Sequence, residues 1–287
     1  VILPIITTFS KNGEFDPARM KNIVKFAEKG GIKGFFVCGT YGSGPLMSYE
    51  EKKAVVETVM NSVSSSADII VNVGSSSPVE SIKLAKYAES VGAVAIASSA
   101  PFYYSYSYND GNVRDFFLKL INSVKVPVLL YNIPKASGYS VKPKLVKELQ
   151  KEGLVGIKDS SSDLSIFYSL KYKIGFQDFL YIAGSEIFII PTVPLGAAGV
   201  ISGLANAFPS IIIELFNETE QGNYKRAFEL LDKVGKLREI LHAEQSIPSI
   251  HAFLSIVGVD AGYPRNPFTQ VDKATIEKMA RSLDRVL

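Results

Sequence analysis

Eight short runs rich in β-branched and aromatic residues recur along the chain: ILPIIT, GFFVC, DIIVNV, AVAIA, VPVLLY, LVGIK, FLYIA and GVISG. Nearly every gap between them holds one amphipathic, helix-like segment. This alternation constrains the fold more than any other feature, because parallel strands need a long crossover between them and a helix supplies it. Each run is apolar enough to be covered on both faces, and eight such units predict an α/β fold of the (β/α)8 barrel type over an open doubly wound sheet. The helical segments carry their own boundaries. SYEEKKAVVETVMNSV opens on a serine N-cap with its acidic residues early, and SPVESIKLAKYAESVG starts on Ser77 and Pro78 and stops at Gly92. Beyond the eighth run, NAFPSIIIELFNETEQGNYKRAFELLDKVGKLREILHAEQSIPSIHAFLSIVG reads as two or three helices, more than one barrel helix needs. The barrel core is therefore assigned to residues 1–205, and the last barrel helix with a C-terminal helical extension to 206–287, within one structural unit.

Composition excludes several function classes. A net charge of +3, with basic and acidic residues interleaved, lacks the one-sided basic footprint of a nucleic-acid binder. A single cysteine, Cys38, rules out an internal disulfide and fits a reducing cytoplasm, and two histidines without a nearby cysteine do not form the common zinc spacings. No metal and no organic cofactor is expected. No apolar run reaches the roughly 18 to 20 residues that span a bilayer, so no membrane association is expected.

In a (β/α)8 barrel, residues at the C-terminal ends of strands face the active-site side, whereas residues preceding strands face the opposite end. This sorts the candidates. Lys33 precedes its strand; Thr40 and Tyr41, Pro101 to Tyr104, Tyr131, Lys158, and Gly184 with Ser185 follow theirs, and Lys158 is the one lysine among them. An amine attacks a carbonyl only when deprotonated, and the iminium it forms is an electron sink that lets a carbon–carbon bond one position further out form or break. The other reading of GLVGIKDSSS is a strand end surfacing, or an ion pair between Lys158 and Asp159. Tyr131 ends the strand before that of Lys158, where its phenol serves either as a proton shuttle or as a belt tyrosine. CGTYGSGP is either a cradle for a carboxylate or a plain glycine-rich turn; it has neither GxGxxG spacing nor a GK[ST] ending. PFYYSYSYND is a dense aromatic loop suited to a subunit interface or a rim patch. His242 and His251 fall in the helical extension, where packing explains them, and Cys38 reads as core.

Taken in order, GTYG, YNIPKASG, GIKDS and GAAGVISGLAN resemble motifs of the pyruvate-dependent Schiff-base aldolase family. That family includes dihydrodipicolinate synthase, N-acetylneuraminate lyase and the archaeal 2-keto-3-deoxygluconate aldolases, and the resemblance runs the whole chain. It implies Lys158 as the Schiff-base lysine, Tyr131 as its proton shuttle, Thr40 in the relay and Tyr103 as a tyrosine given to a neighbouring subunit's site. It further implies substrate contacts from Gly39, Thr40, Tyr41, Ala136, Gly184, Ser185 and Ile201, and a homotetramer built as a dimer of dimers around a small keto acid. Dihydrodipicolinate synthases usually read GTTGE and carry an arginine after the YNxP proline, where this chain has Ser43 and Ala136. GTYGSGPLMS and GVDAGYPRNP instead resemble the archaeal sugar-acid aldolases, although Tyr41 stands where a second threonine is usual. Aldolases of that group that accept a 6-phosphate typically have an arginine in the aromatic loop and a second tyrosine in the YNxP segment. Tyr106 and Ile133 occupy those neighbourhoods here, which points to the unphosphorylated substrate. The resulting expectation is a lyase that cleaves 2-keto-3-deoxygluconate to pyruvate and glyceraldehyde. The alternatives are condensation of pyruvate with a semialdehyde and, from another class, a non-catalytic barrel that binds a keto acid.

Overall fold

The computed structural model describes residues 1–287. The elements alternate as the periodicity predicts: β1 (Ile2–Leu3), α1 (Pro17–Lys29), β2 (Gly34–Val37), α2 (Tyr49–Met60), β3 (Asp68–Asn72), α3 (Pro78–Ser90), β4 (Ala95–Ser98), α4 (Asp110–Ile121) and β5 (Val128–Asn132). A one-turn α5 (Pro134–Ser137) and α6 (Pro143–Lys151) then lead to β6 (Leu154–Asp159), α7 (Leu164–Lys173), β7 (Leu180–Ala183), a short α8 (Ile189–Thr192) and β8 (Gly199–Val200). The chain ends in α9 (Pro209–Glu220), α10 (Tyr224–His242), α11 (Ser246–Ile256) and α12 (Lys273–Leu283). The eight strands form one sheet in sequence order, and past β8 the Ser202 N–H donates to the Ile2 carbonyl at 3.4 Å. The fold is a (β/α)8 barrel with a C-terminal helical extension.

β2, β4 and β5 are buried along their whole length, as strands covered on both faces must be. Helix starts follow local chemistry. Ser48 and Glu51 form a reciprocal capping box at α2, Ser77 caps α3 ahead of Pro78, and Gly92 follows the end of α3 with φ 94°. The first and last strands are shorter than their apolar runs. Pro4 has no N–H to give a ladder, and the chain beyond it stays buried without pairing as a strand: the Ile6 N–H donates instead to the Asn206 side chain at 3.1 Å.

Two compact units are distinguishable, Val1–Ala67 with Ser202–Leu287, and Asp68–Ile201. The first contains β1, β2 and the helical extension; the second contains β3 to β8. No helix is long and apolar enough to cross a membrane.

Candidate active site

Lys158 sits in β6 with 3% of its surface exposed, and its register partner across β5 is Tyr131, itself 5% exposed. The amine Nζ lies over the Tyr131 ring, 3.8 Å from its centroid. On the other side, the partner of Lys158 is Ile182 of β7. Two effects compete at this amine. An aromatic face favours an ammonium by about 0.5 to 2 kcal/mol. Burial disfavours the charge by more than that, and it holds the Lys158 amine well below the ordinary lysine range. Desolvation wins, which favours the nucleophilic free amine.

The ion-pair reading of the KD motif fails on strand geometry. Successive side chains of a strand point to opposite faces, so Asp159 cannot share a side with Lys158. Its carboxylate is engaged behind the sheet by the Asn132 amide at 2.8 Å, the Ser161 N–H at 3.1 Å and the Tyr181 hydroxyl at 2.9 Å. Sequence reasoning missed this buried set. The available signal was that YN and KD both end strands, each pairing an inward residue with an outward polar one.

In the second unit, the other candidates lie beyond the ends of strands. Gly184 follows β7, donates its N–H to the Asp159 carbonyl at 2.7 Å, and leaves no room for a side chain, since a Cβ there would lie 2.0 Å from Ser160 Oγ. Ser185 is partly exposed beside it, and Ile201, buried, donates its N–H to the Ala183 carbonyl at 2.8 Å. Ala136 is exposed in α5. Tyr103 stands 76% exposed with φ 82° and meets Tyr104 edge-on at 4.9 Å. A left-handed backbone costs a non-glycine residue about 1 to 3 kcal/mol, so this loop holds its tyrosine outward against strain. Just past the YNIPKASG segment, the Tyr139 hydroxyl donates to Asp110 at the start of α4 at 2.6 Å.

In the first unit, Gly39, Thr40 and Tyr41 form the turn that leaves β2. The turn is wound tightly: Ser43 N–H donates to Thr40 O and Gly44 N–H to Gly39 O, each at 3.0 Å, and the Thr7 hydroxyl donates to Gly42 O at 2.7 Å. A Cβ at Gly44 would lie 1.9 Å from the Cys38 carbonyl, so only glycine fits there. Cys38 is core, as expected, but with φ 58° it also begins the turn, and burial pushes its thiol up to about 12. Thr40 is exposed. The Tyr41 ring is seated on Gly203, where a Cβ would lie 2.3 Å from Cζ, so the glycine leaves the room this large ring needs.

GYPRNP ties down the start of the helix that follows this turn. Arg265 donates to the Gly13 carbonyl and, at 2.7 Å, to Glu51, the capping-box residue of α2 just after the turn. Burial raises the Glu51 carboxyl, but the Ser48 N–H and Arg265 together hold it below its usual range. Arg265→Ala is expected to lower stability by about 1.5 to 3 kcal/mol, the scale for hydrogen bonds to a charged partner, measured by denaturant melts. A change below about 0.5 kcal/mol would reduce the contact to an ordinary surface ion pair.

His251 is buried in α11, and desolvation lowers its pKa to about 4; His242 Nδ1 lies 2.9 Å from Ser246 Oγ. No group of three or more His, Cys, Asp or Glu side chains is placed to hold a metal ion.

The family model for the dihydrodipicolinate synthetase family matches residues 1–286. A 4-hydroxy-tetrahydrodipicolinate synthase of Syntrophus aciditrophicus is 31% identical over 281 residues, 98% of this chain and 95% of that protein. The solved structure of KD(P)GA from T. tenax is similar at TM-score 0.92 and 28% identity, over 100% of this chain and 98% of that one. A Sulfolobus 2-keto-3-deoxygluconate aldolase in complex with D-KDPG gives TM-score 0.93 at 27% identity, over 100% and 95%. With a match along nearly its full length, the chain belongs to the dihydrodipicolinate synthetase family of lyases, within the class I pyruvate aldolase superfamily.

Proposed function

We propose that the protein is a Schiff-base aldolase that cleaves 2-keto-3-deoxygluconate to pyruvate and glyceraldehyde. The observation that carries this reading is a buried lysine amine held over the ring of a buried tyrosine at 3.8 Å. Lys158 attacks the C2 carbonyl of the sugar acid, the carbinolamine loses water, and the iminium accepts the electron pair of the breaking C3–C4 bond as the C4 hydroxyl gives up its proton. Glyceraldehyde leaves. The remaining enamine is protonated at C3, and water releases pyruvate and restores the amine. Tyr131 carries protons between these oxygen atoms and solvent, with Thr40 in the relay. The β2 turn, from Gly39 to Tyr41, is assigned to the substrate carboxylate, and Ala136, Gly184, Ser185 and Ile201 to further substrate contacts. Tyr103, exposed and outward, completes the site of a neighbouring subunit in a homotetramer.

A second reading keeps the imine and changes the partner. Relatives such as the Syntrophus protein are named 4-hydroxy-tetrahydrodipicolinate synthase, which favours condensation of pyruvate with a semialdehyde. Against it stand Ser43 and Ala136, where that activity's usual glutamate and arginine motif residues are absent. Measuring aldol cleavage across a panel of 2-keto-3-deoxy sugar acids, beside condensation of pyruvate with aspartate semialdehyde, decides between them. Faster condensation than cleavage would overturn the first reading.

The unphosphorylated acid is the expected substrate, because Tyr106 and Ile133 offer no guanidinium to a distal phosphate. A hydrogen bond to an ionised group is worth about 1.5 to 3 kcal/mol, so its lack costs the 6-phosphate roughly 10 to 150 fold in kcat/KM relative to an arginine-bearing site. The check is kcat/KM for both substrates at one ionic strength. Preference for the phosphate would make Lys135 and Arg238 the cations to mutate.

A further inference from the structure

Behind the Lys158 rung lies a set of buried polar groups that the imine chemistry does not use. Asn132 and Asp159 are register partners one step beyond Tyr131 and Lys158, on the opposite face of the sheet. The three donors to the Asp159 carboxylate come from three segments: Asn132 from β5, Ser161 from the exit of β6 and Tyr181 from β7. Asn132, Asp159 and Tyr181 are 0%, 3% and 2% exposed. The Asn132 carbonyl oxygen extends the line by accepting from the Val141 N–H at 3.3 Å, just before α6. The Tyr181 ring is fixed in turn, edge-on to Phe167 of α7 at 4.8 Å and tilted against Phe176 at 5.6 Å. Burial pushes the Asp159 carboxyl up, and its donors pull it back.

A buried carboxylate with its donors adds little stability over apolar side chains of the same volume. What it supplies here is geometry. Directional bonds to one carboxylate hold three adjacent strands in one register, and apolar packing has no such direction.

We propose that Asn132, Asp159 and Tyr181 are positioning residues for Lys158, clamping the C-terminal ends of β5 and β6 to the body of β7 so that the amine stays over the Tyr131 ring and in line with the incoming carbonyl. This rests on the reading of Lys158 as the imine-forming residue. Asp159 touches no reacting atom; it acts through the backbone that it shares with Lys158.

The test follows the rate at which pyruvate and borohydride convert Lys158 to its reduced adduct, with kcat and KM measured in parallel, for the wild type, Tyr181→Phe, Asp159→Asn and the double variant. A misplacement on the order of 1 Å costs about 100-fold in rate. Tyr181→Phe deletes one donor but keeps the packed ring, and is expected to slow trapping and kcat roughly 10-fold with KM within about twofold. Asp159→Asn turns an acceptor toward its donors into a donor, and about 100-fold slowing is expected. Because Tyr181 acts through Asp159, the double variant should be no slower than Asp159→Asn alone. Wild-type trapping rates in both single variants, or losses that multiply in the double variant, would overturn the proposal. If Asp159→Asn does not fold, Tyr181→Phe against the wild type decides alone. A wild-type protein that traps no pyruvate would overturn the imine reading itself, and this proposal with it.

Discussion

Lys158→Ala is expected to lose turnover by a factor on the order of 10⁶, the scale reached when the nucleophile of a concerted site is removed. The fold should survive, because nothing in the Asn132–Asp159–Tyr181 set depends on the lysine side chain: it lies on the other face of β6. Stability gives a second, independent readout. Burial lowers the amine's pKa in the folded chain below its unfolded value. Between those two values the unfolded chain binds a proton that the folded chain does not, so stability rises with pH across that window. Below the folded pKa the desolvation penalty is present in full. Lys158→Met, which keeps most of the volume, is therefore expected to be more stable than the wild type at neutral pH, with an advantage that shrinks as pH rises toward about 10.4. A pH-independent difference measured in denaturant melts would contradict the account of the buried amine.

The next largest effect is expected at Tyr131. Phenylalanine keeps the ring beneath the amine and the apolar wall that favours its free form, but removes the hydroxyl. A positioned acid or base is worth roughly 10² to 10⁴ in rate, and Tyr131→Phe should lower kcat by that factor while KM changes little. Imine formation should persist in the variant, slowed, because the nucleophile and its burial are intact. Near-normal turnover would make Tyr131 a packing residue only.

Strand number, order and helix alternation were legible in the sequence, since period and run length depend on local residue choice. Strand ends were less so. The runs ILPIIT and GVISG continue as buried chain after their ladders stop at Leu3 and Val200, and hydrophobicity does not distinguish pairing from burial. The capping box at Ser48 and Glu51 was half visible as a serine followed by acidic residues. Lys158 and Tyr131 were legible as neighbouring strand ends, and their register turns that adjacency into contact. The ion pair with Asp159 was an avoidable alternative, because adjacent strand residues face opposite ways. The partners of Asp159 were not legible: Tyr181 lies 22 residues away, and only the pairing of β6 with β7 brings it close. Likewise GYPRNP is visible as a motif, but its grip on Glu51 spans 214 residues and requires the fold.

The most direct test of the central claim is to incubate the protein with pyruvate, reduce with borohydride, and map the modified peptide by mass spectrometry. The account predicts one reduced pyruvyl group per chain, on Lys158, and none in Lys158→Ala. An unmodified protein, or a label carried by any other lysine, would contradict it.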